Sequence, residues 1–380
     1  MDDGRAGRRG ITGEQVGRSP LEWGMPTWTW AIPVAAIVLL VVALVAGVGI
    51  VVTLLCAAAL VGAVIASVHH AEVIAHRVGE PFGTLVLAVA VTVIEASLIL
   101  SMVIVSGAEQ AHLPRDTIYA ALMIILNGVV GVCLLVGGLR HGVQSFRVEG
   151  SNSGLAALFP MATLSLVLPT FTTTTPSGTY SGPQLAFAAA ASITLWGVFV
   201  FVQTVRHRDY FLPESDPANP EIHAEPPSTL QTWASFALLL LSLVAVVGLA
   251  KVLSPVIERA VVAAGAPKSM IGIAIAVLVL LPETAAAVRA ARANRLQTSM
   301  NLAIGSALAS IGLTIPVVAA ASVVLDMPLV LGLDEPKDVV MLALTFVVSA
   351  VTLATGRTHV MQGAVHLVMF AAFLFLALVP

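Results

Sequence analysis

The sequence predicts an all-α polytopic membrane protein of about eleven transmembrane helices, one extra N-terminal helix followed by two inverted-topology repeats of five. Three observations carry this. Only 10% of the 380 residues are charged and 58% are hydrophobic, whereas soluble globular chains carry about 25% charged residues. Apolar stretches near the ~20 residues needed to cross the hydrocarbon recur along the whole chain. Lysine and arginine segregate between alternate connections, as the positive-inside rule requires. Disorder, collagen and coiled coil are excluded by the same composition. The net charge of −3, with no basic run interleaved with aromatics, gives no reason to expect a nucleic-acid partner. Cys56 and Cys133 both lie in apolar stretches and read as small buried hydrophobes.

Residues 1–28 read as a cytoplasmic tail. Arg5, Arg8, Arg9 and Arg18 precede an apolar run in the manner of a signal peptide, but the tail carries acids and no small-residue cleavage pattern ends the run. Trp23, Trp28 and Trp30 suit an interfacial belt at the start of the first span. That extra helix covers 29–47, and Gly47-Val48-Gly49 turns tightly into the second. The first repeat, 50–205, contains spans at 50–68, 83–106, 117–138, 155–170 and 183–204. The fourth of these has soft ends because it carries Pro160 and Pro169. Residues 206–231 form an acidic linker rich in proline: Pro213, Pro217, Pro220, Pro226 and Pro227 alternate with Asp209, Glu214, Asp216, Glu221 and Glu225, a composition that stays extended. The second repeat, 232–380, contains spans at 232–253, 269–290, 298–321, 338–355 and 360–379.

With the N-terminus in the cytoplasm, 13 of the 18 basic residues fall on the inside and five (Arg115, Lys251, Arg259, Lys268, Lys337) on the outside. The C-terminus is then outside. The second helix starts outside and the seventh inside, so the two five-helix halves have opposite topology. Repeats of that kind bind their cargo at the bilayer midplane, where the halves meet.

Most acids fall in tails, connections or helix ends. Glu95 does not; it lies halfway along the third span. Glu283 lies within the eighth, directly after Pro282. A carboxylate at the bilayer centre costs ~2.5–3.5 kcal/mol, so such a residue is a functional candidate by default. A buried glutamate bonded to a neighbouring helix is the plainer alternative. Each glutamate occupies the second helix of its half, which inverted symmetry would bring to one midplane site. Identities between the halves are few: Val89, Val91 and Glu95 match Val277, Val279 and Glu283, then Asp116-Thr117 and Gly131 align with Gln297-Thr298 and Gly312. Two carboxylates supply part of the 6–8 oxygens of Ca²⁺, or part of a Na⁺ site. Pro282 frees one upstream carbonyl, and Thr92, Ser97, Thr284, Asn301, Ser306 and Ser310 are nearby polar groups. Desolvation penalises a charged carboxylate, so protons and cations would compete for the same oxygens.

The stretches Pro282-Glu283-Thr284-Ala285-Ala286-Ala287 and Asn301-Leu302-Ala303-Ile304-Gly305-Ser306-Ala307-Leu308-Ala309-Ser310 resemble the second α-repeat of the cation/Ca²⁺ exchanger superfamily. In the first half, His70-Ala71-Glu72, Gly79-Glu80-Pro81-Phe82-Gly83-Thr84 and Ile94-Glu95-Ala96-Ser97-Leu98 are similar to the ChaA-type Ca²⁺(Na⁺, K⁺)/H⁺ antiporters of bacteria. The likeness runs from about residue 60 to the C-terminus. Ile94 stands where many members carry Asn or Pro, and Asn127-Gly128 stands in place of a Gly-Ser-Asn motif. The resemblance implies eleven helices in the bacterial inner membrane, with Glu95 and Glu283 as the two central acids. It implies exchange of cytoplasmic Ca²⁺, with Na⁺ and K⁺ as further cargo, for external protons by alternating access. A monovalent Na⁺(K⁺)/H⁺ antiporter is the alternative. A channel would want a symmetric ring of ligands. An intramembrane enzyme would need a motif such as Gly-x-Ser-x-Gly or His-Glu-x-x-His, which is missing from the sequence. No resident cofactor is expected; lipids, cations and protons are the expected partners, and the oligomeric state is open.

The remaining candidates each carry two readings. Glu72 and His76 share a helix face near His69 and His70, as a proton or cation antechamber or as a solvated turn. Glu80 either complements a helix dipole or lines the ion path. Asn301 and Ser306 are ligands or close-packing residues, and Thr92 and Ser97 are further candidates for the ion path.

Overall fold

The computed structural model describes residues 25–47, 49–79, 82–106, 111–212, 227–265, 267, 269–327 and 329–379. The N-terminal tail up to residue 24, Glu80 with Pro81, and linker residues 213–226 lie outside the described residues. Eleven helices form the described chain: α1 Thr27–Ala46, α2 Ile50–Val78, α3 Phe82–Ser106, α4 Leu113–His141, α5 Val148–Phe171, α6 Gly182–Arg206, α7 Thr229–Ala263, α8 Ser269–Arg292, α9 Leu296–Val324, α10 Pro336–Leu353 and α11 Val360–Leu378. Among the described residues, nine are long and apolar enough to cross a membrane. The bent α8 makes a tenth, and α3 holds a shorter apolar stretch, Ala88–Ser101. The helices extend beyond the apolar windows because their polar ends continue past the hydrocarbon, as at His76-Arg77 of α2 and Arg289-Arg292 of α8.

Local chemistry sets several of the ends. The Ser181 backbone N–H donates to Gln184 Oε1 at 2.9 Å to start α6, and Pro183 sits where no helical N–H is needed. Met361 N donates to His359 Nδ1 at 3.2 Å to start α11. Gly79 closes α2 with φ of +80°, a conformation side chains resist.

Six of the connections fall as the alternation of spans requires. At one end, β1 (Gln144–Ser145), between α4 and α5, pairs antiparallel with β2 (Arg357–Thr358), between α10 and α11. Gln144 Nε2 also donates to Asn294 Oδ1 at 2.9 Å, between α8 and α9. At the other end, Val330 and Leu331, which follow α9, donate their backbone N–H groups to Ala111 O and Gly178 O at 3.1 and 2.9 Å. The α3–α4, α5–α6 and α9–α10 connections therefore share one end. The α4–α5, α8–α9 and α10–α11 connections share the opposite one.

Two apolar bodies fill the interior. The larger unites α4, α5, α6, α9, α10 and α11 with one face of α8, around Leu122, Leu126, Leu158, Met161 and Ile311. The smaller unites α1, α2, α3 and α7 with the other face of α8, around Ala36, Leu60, Ile99, Val246 and Ile275. Between them α4 packs along α8 and α9 packs along α3. The third helix of each repeat thus lies against the second helix of the other.

Candidate ion-binding site

This crossing positions the two intramembrane acids. Glu95, midway along α3, is 3% exposed, and Glu283 is 6% exposed. Glu283 stands at a 52° bend between Ser269–Leu281 and Glu283–Arg292, where Pro282 interrupts the hydrogen-bond ladder. Both carboxylates accept from one helix: Ser310 Oγ donates to Glu95 Oε1 at 2.7 Å, and Ser306 Oγ donates to Glu283 Oε2. The two serines are four residues apart on α9, so they lie about 6 Å apart along one face. The carboxylates therefore sit at similar depth, near enough to interact electrostatically. Hydroxyl donors offset part of the cost of burying each acid.

A narrow recess reaches Glu283 and Ser306 among α3, α6 and α9, with Leu85, Trp196, Phe199, Gln203 and Asn301 on its walls. A smaller one on the far side of Glu283 is bounded by Ile125 and Val129 of α4. Those two belong to a π-helical turn, Ile124–Val129, a distortion common at functional sites. Among the described residues no group of three or more His, Cys, Asp or Glu side chains could hold a metal ion. The side-chain oxygens brought together here are those of two carboxylates and two hydroxyls.

The other candidates fall around this centre to different degrees. Asn301 lines the recess, but its Nδ2 donates to Phe211 O at 2.5 Å and its Oδ1 accepts from Gln297 Nε2 at 2.8 Å. Thr92 is buried and donates to Ala88 O at 2.9 Å, and Thr284 donates to Leu280 O at 2.7 Å. Ser97 is half-buried and lies about 200° around α3 from Glu95, on another face. Glu72 and His76 are exposed on α2, outside the lining of the recess. His69 packs on Trp28 with ring centroids 5.0 Å apart, and buried His70 Nε2 bonds Thr29 O at 2.9 Å. These two histidines fasten α1 to α2. Glu80 lies outside the described residues.

Sequence reasoning passed over two polar clusters. Arg115, counted only as an outside charge, is buried; its Nη1 reaches Asp334 Oδ1 at 2.9 Å and its Nε reaches Asp116 Oδ1 at 2.9 Å. Inside the bundle, Asn127 Nδ2 donates to Thr345 Oγ1 at 2.9 Å, and His366 Nε2 bonds Thr352 Oγ1 at 3.1 Å. The spacing of Thr345, Ser349 and Thr352 along one helix face was the available signal.

Two inverted five-helix repeats, crossing with one buried glutamate from each, define a secondary transporter of the cation-exchanger class. The family model described as sodium/calcium exchanger protein matches residues 48–205 and 234–379, and the chain belongs to that family. It is 49% identical over 94% of its length to y4hA of Sinorhizobium fredii (strain NBRC 101917 / NGR234), which carries the provisional name of an ionic transporter and is covered over 97%. It is 37% identical over 81% of its length to the sodium-potassium/proton antiporter ChaA of Escherichia coli (strain K12), covered over 83%. The fold matches the crystal structure of the H⁺/Ca²⁺ exchanger CAX with a TM-score of 0.71 at 14% identity, over 91% of this chain and 87% of that one.

Proposed function

We propose that the chain is a cation/proton antiporter that exports cytoplasmic Ca²⁺, and also Na⁺ or K⁺, in exchange for external protons at Glu95 and Glu283. The observation that carries this is that one face of α9 offers a hydroxyl to each of two buried carboxylates from opposite repeats. A divalent cation, a monovalent cation with one proton, or two protons each neutralise the pair. Charge balance in a water-poor site favours swapping one for another over leaving both acids bare. The recess reaches Glu283 from the end that carries Arg206, Arg208, Arg292 and Arg295, the cytoplasmic end under the positive-inside rule. Each apolar body draws helices from both repeats, so body moving against body, with α1, α2 and α7 together, is the motion that conserves packing.

A monovalent Na⁺(K⁺)/H⁺ antiporter is the second reading, favoured by the 37% identity to a protein named for that activity. Everted vesicles with an acid interior test both. Adding Ca²⁺, Na⁺ and K⁺ separately should collapse the pH gradient with at least one cation. Gradients as durable as those of empty vesicles with all three would sink the antiport reading.

A further inference from the structure

The two repeats contribute unequally to the site, and their third helices differ in the oxygens they offer it. The register that aligns Asp116-Thr117 with Gln297-Thr298 and Gly131 with Gly312 places Ile125 opposite Ser306 and Val129 opposite Ser310. Ser306 and Ser310 are the hydroxyls that hold the two glutamates. Ile125 and Val129 border the recess on the far side of Glu283, together with Ser306. Where inverted symmetry would supply a second pair of oxygens, α4 supplies two branched hydrocarbons.

We propose that Ile125 and Val129 are specificity-determining residues: an apolar wall that withholds ligands and biases the site toward monovalent cations over Ca²⁺. The proposal rests on cation exchange at the Glu95–Glu283 pair. Ca²⁺ takes 6–8 oxygens, and the hydration free energy the protein must replace grows with the square of the charge. A divalent ion facing the α4 wall is left undercoordinated on that side. A monovalent ion forfeits less there, and a proton on one glutamate completes its charge balance. The wall also keeps water from supplying the missing ligands, since its hydrocarbon offers no partner to hold one.

The test compares the parent with Val129→Thr, Ile125→Thr and Val129→Ala in everted vesicles. Half-saturating concentrations of Ca²⁺, Na⁺ and K⁺ are read from collapse of an acid-inside gradient, with each variant's amount in the membrane measured alongside. Val129→Thr keeps the side-chain shape and adds one oxygen; Val129→Ala adds space without one. The ratio of Ca²⁺ to Na⁺ half-saturation should fall by about threefold to tenfold in Val129→Thr, the range for one added polar contact. It should stay at the parent value in Val129→Ala. Ile125→Thr is the second reading of the same wall and should shift the ratio in the same direction. An unchanged ratio in both threonine variants overturns the proposal, as does an equal shift in Val129→Ala. A parent that exchanges none of the three cations instead overturns the antiport reading itself.

Discussion

The helices α4 and α9 hold equivalent places in the two repeats, yet they do different jobs. In α4, 83% of the apolar window is buried, against 56% in α9, and the difference lies in what covers each helix. Glycines on both helices let α4 and α11 approach: a Cβ on Gly131 of α4 would lie 3.0 Å from Leu367 Cγ, and one on Gly363 of α11 would lie 2.5 Å from Leu135 N. Its polar side chain at mid-membrane, Asn127, is committed to Thr345. By contrast, α9 turns Ser306 and Ser310 toward the carboxylates and lines the recess with Asn301. Inverted topology, then, constrains where helices run and cross. It does not oblige both copies to carry the same chemistry, because hydrophobic burial is indifferent to which side chains face the site so long as volume is filled.

Substitutions on each side of this comparison should separate the roles. Glu95→Gln and Glu283→Gln keep a carbonyl oxygen for Ser310 or Ser306 but lose the exchangeable charge. Each should reduce exchange to the level of empty vesicles while leaving the amount in the membrane unchanged. Vigorous transport by either would remove that residue from the site. Ser310→Ala and Ser306→Ala come next: losing a hydrogen bond to a charged group is worth ~1.5–3 kcal/mol, so the half-saturating cation concentration should change by about tenfold or more. If only one serine matters, the shared face of α9 is not the organising element.

Gly363→Val, on α11, tests its close packing against α4. Overpacking costs ~1–3 kcal/mol and should lower the thermal midpoint of the detergent-solubilised protein, with half-saturating concentrations in the surviving fraction unchanged. A changed cation preference there would tie α11 to the site and break the division of labour. The smallest effect is expected from Asn301→Ala, which frees Phe211 O and removes one wall of the recess. It should alter the maximal rate by less than about threefold, leaving the relative preference for Ca²⁺, Na⁺ and K⁺ in place.

Much of this was legible along the chain because hydrocarbon is an unforgiving solvent. Each apolar window became a helix, since an unpaired backbone group in lipid costs several kcal/mol. Glu95 and Glu283 stood out because no other acid sat midway along a long apolar run. The finer assignments were less legible. Glu72 and His76 share a face as their spacing requires, but that face is exposed, which periodicity alone does not reveal. Asn301 was singled out as a candidate ligand and lines the recess, yet its amide is engaged by Phe211, ninety residues earlier. No local pattern announces a contact of that separation. Arg115 was hidden for a related reason, because its partner Asp334 lies in a different repeat.

The sequence by itself determined the number of helices, their alternation and the two acids stranded among apolar residues. Each follows from transfer free energies that act on one segment at a time. Only the tertiary structure decided that one serine pair on α9 clasps both acids. It alone showed that two apolar bodies cut across the repeats and that α4 faces the site with hydrocarbon. Those depend on how helices rotate about their own axes, and rotation is set by packing against neighbours distant in the chain.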